Sequence, residues 1–321
     1  MTGAASAETW LVGDVGGTNA RFGLMSPGGA LLESRVLADD RYAEIGDAIE
    51  AFLAQCTALP RPSAGAIAVA SPVTGDTIRM TNHPWRFSIA ALRQRLGFAR
   101  LEVINDFTAL ALALPHLGPD EKSQIGAGSA LAGHPMAVLG PGSGLGVSGL
   151  VPHRDKWVPL TGEGGHATLA PEDERETAVI AHLRRQFDHV SAERCLSGPG
   201  LVNLYNALAA VDGTPAAQYT PAQITDAQTG AADPRCREAT DMFCAMLGSV
   251  AGNLALTLGA QGGVYVGGGI VPRLGQRFAA SAFRDRFEAK GRFRAYLAAI
   301  PTLVVTHPLP AFLGCAAKLA E

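Results

Sequence analysis

Apolar positions along this chain fall into short blocks with two different periods. Leu11 and Val12 lead into Gly13-Asp14-Val15-Gly16-Gly17-Thr18-Asn19, and the pattern predicts a strand over 10–13, a returning strand over 20–25 and a third over 30–37. Apolar residues at helical spacing follow over 42–53, then a strand of small residues over 66–70. A strand over 101–104 runs through Asn105-Asp106 into an apolar helix over 107–114, with Phe107, Leu110 and Leu112 as core candidates. A second series opens with a strand over 136–139, a glycine loop and a returning strand over 145–151. The stretch 171–258 reads as mainly helical, with Pro221 at a helix start. A strand over 264–266 ends in Gly267-Gly268-Gly269, another is expected over 302–306, and a helix over 312–319 closes the chain. Alternating strands and helices of this kind predict an α/β architecture.

One internal echo stands out. The segment from Gly13 to Leu24 resembles that from Gly140 to Leu150 once one gap is allowed, each being strand, glycine-rich turn with a hydroxyl residue, then strand. The echo alone fits either a duplicated fold or two ordinary glycine turns.

Composition narrows the function classes. A chain of 321 residues exceeds the size at which single cores stop growing, so two domains are expected. The net charge of −3, without a basic stripe, argues against a nucleic-acid partner, whose phosphates need clustered Lys and Arg. Cys56, Cys195, Cys236, Cys244 and Cys315 are scattered, with no CxxC pair, which suits reduced thiols in a cytoplasmic protein and offers no zinc spacing. Residues 1–10 lack the basic and apolar regions of a secretory signal. The run 242–272 carries no charged residue, but Asn253, Gln261 and repeated glycines break it. It reads as a buried helix, a turn and a buried strand, not as a membrane span.

The glycine turn after the first strand exposes backbone N–H groups suited to phosphate oxygens, and Thr18 and Asn19 add side-chain donors. Asp14 would repel a bare phosphate but suits Mg2+, directly or through water, and it also suits a plain tight turn. No GxxxxGK[ST] string exists, which excludes a P-loop. Gly144-Leu145-Gly146-Val147-Ser148-Gly149 matches GxGxxG, yet it continues as strand, so the dinucleotide-binding reading is rejected. Ser143 and Ser148 lack the frame of a nucleophile elbow. Asn105-Asp106 could cap a helix, but one residue suffices for a cap, and the pair at a strand's carboxyl end is better explained as a site. Gly162-Glu163-Gly164-Gly165-His166 puts a carboxylate and an imidazole in a flexible loop, fit for sugar hydroxyls or for water. Glu193 suits a helix's first turn equally well. His83 and His307, each beside a proline, are read as turn residues without a role.

Together with Met80-Thr81-Asn82-His83, Ser191-Ala192-Glu193-Arg194, Leu196-Ser197-Gly198-Pro199-Gly200 and Gly267-Gly268-Gly269-Ile270-Val271-Pro272-Arg273, these strings form an ordered set spanning nearly the whole chain. The set resembles the bacterial glucokinase family, within the hexokinase and actin-like ATPase superfamily. The resemblance implies a duplicated ribonuclease-H-like α/β fold, with a small domain over 8–115 plus 306–321, a large one over 116–305, and an active-site cleft between them. It implies transfer of phosphate from ATP, with Mg2+, to D-glucose in the cytoplasm, by a homodimer with no membrane or nucleic-acid partner. Asp106 would be the catalytic base, and Asn82, Asn105, Glu163, His166 and Glu193 would hold the sugar. Gly16, Gly17, Thr18, Asn19, Gly142, Ser143 and Gly144 would cradle the ATP phosphates. Asp14 would lie near the metal, and Gly268 and Gly269 near the adenosine. The cysteine-rich zinc motif of the related repressor and sugar-kinase family is missing after His166, where Ala167-Thr168-Leu169-Ala170 stands. A kinase for another hexose or an amino sugar, and a sugar-responsive regulator without turnover, are the rival readings; a chaperone-like or filament ATPase would lack the sugar-binding set.

Overall fold

The computed structural model describes residues 8–321. The reading of residues 1–10 as free of a secretory signal therefore concerns, for 1–7, residues outside those described. Two compact units are present: the described residues through Leu117 together with His307–Glu321, and Gly118–Thr306.

In the first unit, β1 (Trp10–Val15), β2 (Asn19–Met25), β3 (Leu31–Ala38) and β4 (Ala64–Val69) are followed by a small hairpin, β5 (Thr77–Arg79) with β6 (Arg86–Ser88), and by β7 (Arg100–Asn105). The main sheet has the order β3-β2-β1-β4-β7. β1 pairs antiparallel with β2, so that Asp14 lies opposite Arg21, and parallel with β4. Alternation along the strands sends Leu11, Val15, Ile67 and Val69 to one face, against Ile49 and Phe52 of the helix Ile45–Leu53 and Leu92 of the helix Ile89–Leu96. Full burial of a side chain such as Phe52 stabilises by about 1.5–3 kcal/mol. The other face carries Val12, Ala66 and Ala68, small enough for the helices Asp106–Ala113 and Pro310–Ala320 to pack closely through Ala109 and Phe312.

In the second unit, β8 (Lys122–Ile125), β9 (Met136–Pro141), β10 (Leu145–His153), β11 (Lys156–Thr161), β12 (Val264–Val266) and β13 (Thr302–Val305) form a sheet of order β11-β10-β9-β12-β13-β8. Without β8, this repeats the first unit: an antiparallel meander whose first strand is joined by two parallel strands. The two glycine turns thus hold equivalent positions, β1 to β2 and β9 to β10. β9 is buried along its whole length, as expected of a strand covered on both faces.

The uncharged run resolves into the end of a 25-residue helix, Pro234–Leu258, and β12. By length and composition that helix could cross a membrane, but 61% of its apolar window is buried inside the protein. Other elements depart from the sequence pattern. The helix expected from 42 begins at Ile45, where the Asp47 carboxylate accepts the Glu44 N–H and marks the entry. Leu110 and Leu112 are buried, whereas Phe107 is half-buried. All five cysteines are free and buried.

Candidate active site

The first unit gathers its candidate residues at the carboxyl ends of β1, β4 and β7, where open α/β sheets bind ligands. The turn from β1 to β2 is closed by a bond from Gly16 N–H to the Asn19 carbonyl at 3.1 Å, leaving Thr18 and Asn19 exposed. Asn82 presses on this turn, since a Cβ on Gly17 would lie 2.8 Å from the Asn82 Cβ. Only glycine permits that approach. Asp14 forms an ion pair with Arg21 at 3.1 Å. Burial raises the Asp14 pKa, and Arg21 pulls against it.

At the end of β7, Asn105 caps the helix Asp106–Ala113: its Oδ1 accepts the N–H groups of Phe107 at 2.9 Å and Thr108 at 3.2 Å. Its Nδ2 donates to Asp106 Oδ1 at 2.9 Å and to the Ser71 carbonyl at 3.4 Å. The capping and site readings of this pair are therefore compatible, and Asn105 acts as a bracket for Asp106. Asp106 Oδ1 also accepts the Phe107 N–H, while Oδ2 accepts no hydrogen bond from another described residue. Burial pushes the Asp106 carboxyl up to about 6; the Phe107 N–H opposes this and the Asp14 charge adds to it. A carboxyl that is mostly ionised at neutral pH yet more basic than an ordinary carboxylate, with one oxygen free, is suited to accept a proton.

In the second unit, the turn from β9 to β10 carries Gly142, Ser143 and Gly144. Glu193 Oε2 accepts the Leu145 N–H at 2.8 Å. It comes so near the turn that a Cβ on Gly144 would sit 2.5 Å from the carboxylate oxygen. Glu193 lies on the 3-10 turn Ala192–Arg194, which answers the reading of it as a first-turn acid. Glu193 and His166 line a cavity of about 480 Å3, together with Phe187 and Arg194. That volume lies within the usual range for small-molecule sites. Glu163 is exposed at the start of the turn Gly164–His166 and is not among the lining residues. Gly268, with φ of 77°, lies against the Pro141 carbonyl at the end of β9; Gly269 beside it is exposed.

Three neighbours of the site escaped the sequence reading. Arg21 was visible in principle, because counting back from the hairpin turn places it opposite Asp14. Ser71, 3% exposed, lies just beyond the end of β4 and bonds to the Asn82 loop and to Asn105. Asp39 is 1% exposed, its carboxylate is buried without a well-formed hydrogen bond, the Ala20 N–H being the backbone donor that faces it, and its own N–H donates to the Thr18 carbonyl. Nothing local in the sequence marks either of these two.

The family model for glucokinase matches residues 11–321. This chain belongs to the glucokinase family. A glucokinase from Paramagnetospirillum magneticum is 54% identical over 312 residues, covering 97% of each chain. Among solved structures, a glucokinase from an Antarctic psychrotroph superimposes with a TM-score of 0.89 at 36% identity, covering 97% of this chain and 98% of its own. A ROK family glucokinase from Streptomyces griseus, in complex with glucose and AMPPNP, has a TM-score of 0.64 at 20% identity over 97% and 99%, a likeness of fold. The glucokinase match runs through the described residues of both units, and so through every candidate position above.

Proposed function

We propose that the protein transfers the terminal phosphoryl group of ATP to the primary hydroxyl of D-glucose, giving glucose 6-phosphate, with Asp106 as general base. The observation that carries this is the Asp106 carboxyl: bracketed by Asn105, raised to about 6 and left with a free oxygen. Oδ2 takes the hydroxyl proton as the oxygen attacks phosphorus, a contribution of about 10²–10⁴-fold. Asn82, Glu163, His166 and Glu193 hold the remaining hydroxyls, and Asn105 joins them by exchanging its 3.4 Å bond to the Ser71 carbonyl for one to the sugar. The turns formed by Gly16, Gly17, Thr18 and Asn19 and by Gly142, Ser143 and Gly144 receive the phosphates, through donors other than the Gly16 and Gly142 N–H groups that close the turns, and Gly268 and Gly269 the adenosine end. The repeated strand order supports the finer fold assignment, a duplicated ribonuclease-H-like pair.

Asp14 is a lone carboxylate, and no group of three metal-ligating side chains occurs among the described residues. That donor set fits Mg2+ arriving on the nucleotide, because Mg2+ takes one or two carboxylates, keeps several waters and uses phosphate oxygens. Bound there, the ion would offset charge on the phosphate oxygens. Arg21, already paired with Asp14, lies close to the same charge. We further propose a cytoplasmic location, which the five free thiols support, and a homodimer.

The test is ADP release from Mg-ATP with glucose, mannose, fructose, N-acetylglucosamine or no sugar, for the wild type and Asp106→Asn. Glucose-dependent release, largely lost in the variant, is the expected result. Preference for another sugar would overturn the substrate, and release that ignores every sugar would overturn the kinase reading.

A further inference from the structure

Ser71 is buried between two parts of the first unit that the proposed chemistry uses. Its Oγ accepts the Thr81 N–H at 2.8 Å and lies 3.1 Å from Thr81 Oγ1 and 2.8 Å from the Ala70 carbonyl. A hydroxyl has one proton to give and two lone pairs, so these neighbours use its capacity fully. Its carbonyl, from the same residue, accepts the Asn105 Nδ2, and Asn105 brackets Asp106. One residue beyond Thr81, Asn82 is exposed, its carboxamide has no hydrogen bond to any described residue, and its Cβ packs on Gly17. A free amide at the end of a loop with a buried anchor, beside the glycine turn and tied through Ser71 and Asn105 to Asp106, is arranged to meet a ligand.

We propose that Ser71 is a positioning residue: its hydroxyl holds the Thr81–Asn82 loop so that the Asn82 carboxamide meets the sugar in register with Asp106. This rests on the glucokinase reading above. Ser71 touches no reactant itself. Without the hydroxyl, the Thr81 N–H loses its partner and the loop is free to drift. Displacement of about 1 Å costs up to roughly 10²-fold in rate when reacting groups must be aligned.

The experiment compares steady-state kinetics and melting temperatures of the wild type, Ser71→Ala, Ser71→Cys, Asn82→Ala and the Ser71→Ala/Asn82→Ala double variant, with Asp106→Asn alongside. Expected are a fall of about 10- to 100-fold in kcat/KM for glucose in Ser71→Ala, with the melting temperature little changed. Ser71→Cys, which keeps a weak donor and acceptor at the same place, recovers most of that loss. The double variant matches the weaker single variant, because both changes act through one carboxamide. The proposal is overturned if Ser71→Ala behaves as wild type, if Asn82→Ala does, if the two losses multiply, or if the loss tracks a drop in melting temperature without rescue by Cys. Wild-type activity in Asp106→Asn would instead sink the base assignment, and the coupling between Ser71 and Asn82 would still be read from the cycle.

Discussion

Replacing Asp106 by Asn should move activity and stability in opposite directions. The carboxyl is raised from 3.8 to about 6, chiefly by burial, which corresponds to about 3 kcal/mol of unfavourable ionisation in the folded protein. Because the folded value lies above the unfolded one, the stability tied to the bound proton is complete below pH 3.8 and is lost as pH rises through about 6. At pH 7.5 the wild type therefore carries an ionised, destabilising Asp106, and the neutral Asn variant is more stable by up to about 3 kcal/mol. The same ionisation sets activity. A base of pKa about 6 is about nine-tenths ionised at pH 7 and about one-tenth at pH 5. Thus kcat/KM for glucose, at saturating Mg-ATP, should be level above pH 7 and fall about tenfold per unit below 6. The assays are that pH profile and paired urea-unfolding curves. A flat profile from pH 5 to 7, or an Asn variant that is less stable than the wild type, would refute the reasoning.

Asp14→Asn removes a charge that raises Asp106, so the acid limb of the profile should move to lower pH, while KM for Mg-ATP rises. Asp39 is raised chiefly by burial, and His83 and the Ala20 N–H oppose only part of the effect. Asp39→Asn should therefore stabilise the protein at neutral pH by about 1 kcal/mol or more, a gain that urea unfolding should show fading as pH falls and the wild-type carboxyl takes up its proton. Glu176, 2% exposed, forms a two-pronged pair with Arg286 at 2.8 and 3.0 Å. Glu176→Ala leaves that guanidinium only the Ser249 hydroxyl and a longer contact to Asp173 at 3.9 Å, and should cost up to about 3 kcal/mol in unfolding free energy, with kcat per folded molecule unchanged.

What could be read from sequence depended on how local the cause was. β1, β9 and β12 were legible because nearly every side chain is buried and the glycine turns mark their ends. The helix Ile89–Leu96 was missed because only Leu92 and Leu96 are buried, too few for a periodic signal. β8, buried only at Ile125, is an edge strand held by pairing to β13, and that partner lies some 180 residues away. Among candidate residues, Asp14 and the Asn105-Asp106 pair followed from strand ends and short motifs. The meeting of Glu193 with Gly144, and of Ser71 with Thr81, comes from chain closure over distances no local pattern encodes. The spacing could not have shown that Asn105 both caps a helix and steadies Asp106.

The buried thiols have a practical consequence. Burial pushes Cys195, Cys244 and Cys315 up to about 12 and Cys236 to about 11, and it raises Cys56 as well. Alkylating reagents attack thiolates, which these residues scarcely form at neutral pH. The native sequence is thus a chemically quiet background. A single cysteine introduced on an exposed loop would accept a fluorophore or spin label selectively, without first stripping the five natural ones. One such label per unit would let the response of each to sugar and to nucleotide be followed separately.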